Sequence, residues 1–156
     1  MQTSTSAAPS RQEHGKFVYR KRVHFDDLDS FQMLHNTRYA LFVEHATEAL
    51  YVSGGQTLQA DPDDNPDQIQ VVRAFRIEML APFRGIGELT LQLSVQRLGE
   101  TSCAYAFECR DARAVLCARG ERVIVKLDAS TGRPTAWTPW FVALHRPLLD
   151  SEAAPA

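Results

Sequence analysis

The chain has 156 residues, of which 44% are hydrophobic, 9% aromatic and 23% charged. This ordinary composition excludes a disordered or collagen-like chain and makes one compact domain the expectation. Seventeen Lys and Arg against nineteen Asp and Glu give a formal net charge of −2, so the chain as a whole has no electrostatic pull toward nucleic acid or an anionic membrane.

Residues 1–14 are rich in Ser, Thr, Ala and Pro without apolar periodicity and read as a disordered tail. Residues 150–156 read as a second tail, leaving 15–149 as a single domain. No apolar run of roughly 18 residues and no signal-like N-terminal run occurs, so neither a membrane span nor secretion is predicted. From Lys16 the sequence alternates. Phe17, Tyr19, Val23 and Phe25 share one face and Val18, Arg20, Arg22 and His24 the other, the pattern of a half-buried strand that ends at Asp26 and Asp27.

Residues 37–53 then carry Tyr39, Phe42, Val43, Ala46, Leu50 and Tyr51 at three- and four-residue spacing, which predicts a long amphipathic helix. Asn36 or Thr37 is the expected N-cap, and Gly54 and Gly55 stop the helix. The stretch 56–68, with Asp61, Asp63, Asp64 and Asp67 among prolines, reads as an exposed acidic loop. It lacks the central Gly and closing Glu of a calcium loop, so no metal is expected there. Strands follow at 69–79, 88–97, 103–109 and 115–127, the last three in a meander. Thr138 and Pro139 predict the cap and first residue of a short terminal helix reaching about residue 144.

The expected fold is therefore α+β, with a curved antiparallel sheet of about five strands wrapped around one long helix and closed by a short C-terminal helix. Such a layer leaves a face or an edge needing cover, which predicts a homodimer or homotetramer. Cys103, Cys109 and Cys117 are odd in number, lack CxxC spacing and sit in strand-like segments, as buried thiols in a reducing, cytoplasmic compartment would.

The densest polar constellation is DDLDSFQMLHNTRY, between the first strand and the helix. A carboxylate just before a helix N-terminus meets backbone N–H donors and the positive end of the helix dipole, an arrangement that can hold an acyl oxygen or simply cap a turn. The segment resembles the signature D-x-D-x-x-G-H-V-N-N-x-x-Y of hotdog-fold acyl-CoA thioesterases of the 4-hydroxybenzoyl-CoA thioesterase type. Asp27, Asp29, Asn36 and Tyr39 match in register, and Ala81-Pro82-Phe83, the turn at 98–102 and the TGRP stretch at 131–134 extend the likeness. Gln32 stands where the family has Gly, Met33 where many members have His, and His35 where many have Asn. A side chain in place of that Gly is expected to narrow or reshape the acyl pocket.

What the resemblance implies is thioester hydrolysis. Asp29 would serve as nucleophile or as general base for water, and a backbone N–H near Asn36 would polarise the carbonyl. His35 would orient Asp29, line the channel, or be an ordinary polar residue at the helix entry. Gln32, Met33 and Tyr39 would border the substrate. No cofactor is implied, since coenzyme A enters as part of the substrate, and Arg73, Arg76, Arg84, Arg97, Arg113 and Arg119, on strands and turns, are the candidates for its phosphates. Hydrolysis of an acyl-carrier-protein thioester and non-catalytic acyl-CoA binding are the alternative readings.

Overall fold

The computed structural model describes residues 10–151. Its strands β1 (Ser10–Glu13), β2 (Lys16–Val23), β3 (Gln70–Met79), β4 (Gly87–Leu98), β5 (Ser102–Arg110) and β6 (Leu116–Lys126) form one antiparallel sheet. The strand order is β1-β2-β4-β5-β6-β3. The helix α1 (Asn36–Ser53) lies in the curl of this sheet, and α2 (Pro139–His145) closes it. This is the hotdog arrangement implied by the resemblance. No described helix is long and apolar enough to cross a membrane.

The sixth strand corrects the expectation for the N-terminus. Ser10–Glu13, expected in the tail, pair with β2 through a two-residue hairpin at His14 and Gly15, both at positive φ. That conformation gives the twist a tight hairpin needs, and His-Gly is a weaker sequence signal for it than Asn-Gly. Residues 1–9 and 152–156 of the two expected tails lie outside the described residues. At the other end Asp150 is not loose: its N–H donates to the Val95 carbonyl.

The alternating row Leu89, Leu91, Leu93 and Val95 of β4 and the row Cys103, Tyr105, Phe107 and Cys109 of β5 are buried against Tyr39, Phe42, Val43, Ala46 and Leu50 of α1. Phe25, expected on the core face of the first strand, instead sits exposed in a 3-10 turn because β2 ends at Val23. The three cysteines are buried and unbonded. Desolvation pushes Cys103 and Cys109 up to about 12, so both stay as unreactive thiols.

The loop expected to be wholly exposed is anchored at its end. Asp67 accepts from Lys126 Nζ at 3.1 Å and from the backbone and hydroxyl of Thr138, the N-cap of α2. With the two charged side chains only 7% and 4% exposed, this pair is held by its hydrogen bonds as much as by charge. Beyond it, Trp137, Phe141 and His145 stack at 3.7 Å intervals. Trp140 donates to the Gly54 carbonyl at the end of α1.

His145 also ends a buried chain of hydrogen bonds. Its Nδ1 lies 2.7 Å from the Phe141 carbonyl and must donate, so Nε2 accepts from Tyr105 Oη at 2.6 Å. Burial pushes this imidazole down to about 4, outweighing the raising effect of the Phe141 carbonyl. The unfolded chain takes up that proton near pH 6.5, so the folded state has its full stability above pH 6.5 and loses about 3 kcal/mol as the pH falls toward 4. Urea unfolding of the wild type and of His145→Gln should therefore diverge across that window, with the variant showing the flatter profile.

Candidate active site

The passage between β2 and α1 is built by two aspartates with different partners. Asp27 is buried: it accepts from the His24 N–H at 2.9 Å and pairs with Arg38 Nε at 3.4 Å, while its carbonyl accepts from the His35 N–H. It ties the end of β2 to the first turn of α1. Asp29 instead organises a tight loop, its Oδ1 accepting from the Phe31 N–H at 2.8 Å and the Met33 N–H at 3.1 Å. Its second oxygen, Oδ2, has no hydrogen-bond partner among the described residues.

That loop lies against the segment following β3. Leu34 N–H donates to the Phe83 carbonyl, Gly85 N–H donates to the Gln32 carbonyl, and Met33 bridges Arg84. Between the two segments opens a cleft of about 580 Å³. Asp29, Met33, His35, Asn36 and Tyr39 line one side, and residues 79–83 line the other.

Five of the six residues expected at the site thus share one cleft, and the sixth is displaced. Gln32 is exposed and does not line the cleft; it adopts φ +61°, the left-handed conformation for which Gly is suited. The loop keeps the Gly-type backbone, and the Gln side chain points away instead of narrowing the pocket.

His35 also differs from expectation, because it is itself the N-cap in place of Asn36 or Thr37. Its Nδ1 accepts from the Thr37 N–H at 3.3 Å and lies 2.9 Å from Thr37 Oγ1, so its hydrogen bonds go to the helix and not to Asp29. Arg38 N–H bonds the His35 carbonyl. The Asn36 N–H is left without a protein acceptor among the described residues, at the positive end of an 18-residue helix.

Tyr39 is buried at the back of the cleft, and desolvation pushes its hydroxyl well above the ordinary range, keeping it a neutral donor. The wall formed by Met79 and Leu80 was not singled out from sequence. Its signal was the unbroken apolar run Met79-Leu80-Ala81 before Pro82, where a half-buried strand would alternate.

No protein-family model matches the sequence, and none of the curated proteins does. Solved structures share the fold. A protein of Pseudomonas aeruginosa matches with a TM-score of 0.75 and 21% identity over 86% of this chain and 92% of its own. A 1,4-dihydroxy-2-naphthoyl-CoA thioesterase from Synechocystis matches with a TM-score of 0.72 and 19% identity over 83% and 95%. A Staphylococcus aureus protein in complex with CoA matches with a TM-score of 0.75 and 12% identity over 90% and 89%.

Holding a non-glycine residue in the left-handed region costs about 1 kcal/mol, part of which a glycine returns through its more flexible unfolded chain. Gln32→Gly should therefore raise the unfolding free energy by up to about 1 kcal/mol. Loss of stability in thermal or urea unfolding would show that the Gln32 side chain makes a contribution of its own.

Proposed function

We propose that this protein hydrolyses acyl-CoA or aroyl-CoA thioesters to the free acid and CoA. One observation carries the reading: Asp29, whose Oδ2 has no partner among the described residues, shares a cleft with Asn36, whose N–H at the start of α1 has none either. A thioester carbonyl needs both, an anionic oxygen beside its carbon and a fixed N–H donor beside its oxygen. The shared fold with a CoA thioesterase and with a protein solved in complex with CoA supports the same choice of substrate.

The chain supplies the chemistry as follows. The carbonyl oxygen takes the Asn36 N–H, and negative charge growing there in the transition state is stabilised by the helix dipole. Asp29 Oδ2 either removes a proton from water as it attacks or attacks the carbon itself, forming a mixed anhydride that water then opens. In both routes the C–S bond breaks and the thiolate leaves as CoA. Met33, Tyr39 and residues 79–83 surround the acyl group, and CoA is substrate, so no further cofactor takes part. A reducing, cytoplasmic setting accords with the buried free cysteines.

The working unit in this proposal is a homodimer or a dimer of dimers. Strand β3 is ten residues long, pairs on one side only and exposes Val71, Val72 and Met79, with Leu80 exposed just beyond its end. An unpaired edge of this length invites a second strand. Met79 and Leu80 also flank the cleft, so the second copy would cover its open side.

Two measurements test these points. Asn at position 29 can still accept both loop N–H groups through its amide oxygen, so Asp29→Asn should unfold at the wild-type temperature. It should nevertheless lose at least about a hundredfold in turnover of acyl-CoA, the scale of a principal acid–base group. Full activity in the variant would remove Asp29 from the mechanism. Light scattering should give two or four chain masses. A wild-type monomer at micromolar concentration would refute the paired edge.

A further inference from the structure

The ridge formed by residues 81–83 has a cleft on each side. One holds Asp29; the other, of about 370 Å³, is bordered by Arg84 and Arg113. Arg84 is attached to the first cleft through its backbone bridge to Met33, yet its side chain belongs to the second. No carboxylate lies within salt-bridge distance of it among the described residues. Arg113 is 84% exposed and gives one nitrogen to Asp111 at 3.3 Å, leaving most of its guanidinium donors facing solvent.

The two acids of this cleft are already matched. Asp111 Oδ1 is occupied by the N–H groups of Arg113 and Val115, its Oδ2 faces the Arg113 guanidinium, and Glu88 faces Arg20 at 3.5 Å. Arg84 therefore remains as uncompensated positive charge. The same cleft exposes the aliphatic side chains of Ile86 and Val115, at 54% and 40%. Guanidinium groups beside exposed aliphatic surface suit a ligand with phosphates on one part and a flat heterocycle on another, which is the chemistry of a nucleotide.

We propose that this second cleft binds the phosphorylated nucleotide end of coenzyme A through Arg84 and Arg113, with the pantetheine arm crossing the ridge at Pro82 to deliver the thioester to Asp29. The inference rests on the thioesterase reading for its substrate and assigns the group that recognises the carrier. It favours free CoA esters over carrier-protein esters, because a carrier's prosthetic arm ends at a protein serine and has no nucleotide to offer.

The test compares two substrates of one acyl group, the CoA ester and the N-acetylcysteamine ester, which lacks the nucleotide, together with calorimetric binding of free CoA. In Arg84→Ala and in Arg113→Ala, KM for the CoA ester should rise about tenfold with kcat unchanged, the scale of one charge-assisted hydrogen bond to phosphate. Free CoA should weaken by the same factor, and hydrolysis of the truncated ester should not change. Equal effects on both esters, an unchanged KM for the CoA ester, or preference for an acyl-carrier-protein ester would overturn the proposal. Should no thioester turn over, calorimetry still decides. CoA binding that both substitutions weaken supports the nucleotide cleft while the hydrolase reading fails, and absence of CoA binding overturns the cleft itself.

Discussion

The start of α1 is fastened by three backbone hydrogen bonds: His35 N–H to the Asp27 carbonyl, Leu34 N–H to the Phe83 carbonyl, and Gly85 N–H to the Gln32 carbonyl. Each is worth only about 1 kcal/mol net, but their effect is geometric. They leave the segment from Asp27 to Asn36 no freedom to rotate without stranding backbone donors and acceptors, and buried backbone groups rarely tolerate that. The cleft, the aim of the Asn36 N–H and the placement of Asp29 all follow from this one seam between the helix entry and the segment after β3. A site held by backbone is insensitive to side-chain identity along it, which is how Gln32 can occupy a glycine-type position with its side chain directed outward.

The two aspartates show how neighbouring, chemically identical residues take different work. Asp27 is buried, with both carboxylate oxygens engaged, by Arg38 Nε and by the His24 N–H. Asp29 commits one oxygen to its own loop and keeps the other available. Holding Oδ1 in two backbone bonds fixes the rotamer of the carboxylate, so Oδ2 reaches the cleft in a defined direction. The loop is thus built around the group it presents.

Much of this was legible in sequence because it is periodic. Leu89 to Val95 alternate, Tyr39 to Tyr51 follow the helical repeat, and both faces proved to be core. Asp29, Asn36 and Tyr39 were found through a motif matched in register, and they do line one cleft. The errors have a common cause, since each depended on contacts distant in sequence or on unusual chemistry at a turn. Asp67 looked like one more loop carboxylate, and only the return of Lys126 and Thr138, the latter 71 residues away, makes it buried. His35 is a poor N-cap by frequency, whereas its neighbours Asn36 and Thr37 are both of favoured types. The hairpin at His14 and Gly15 hid β1 inside an apparently featureless tail. Local pattern reports which face is apolar; it does not report which polar residue will be covered.

These distant contacts gather at the far end of the molecule. The stack of Trp137, Phe141 and His145, the Lys126–Asp67–Thr138 cluster and the bond from Trp140 to Gly54 all lie where α1 ends, whereas the cleft lies where it begins. Eighteen helical residues separate the two by about 27 Å. At that distance stability changes add independently of events at the site. The buried polar groups that specify how α2 seals the core can therefore be demanding without constraining the cleft. The cleft in turn can leave an anion and an N–H donor unsatisfied without endangering the fold.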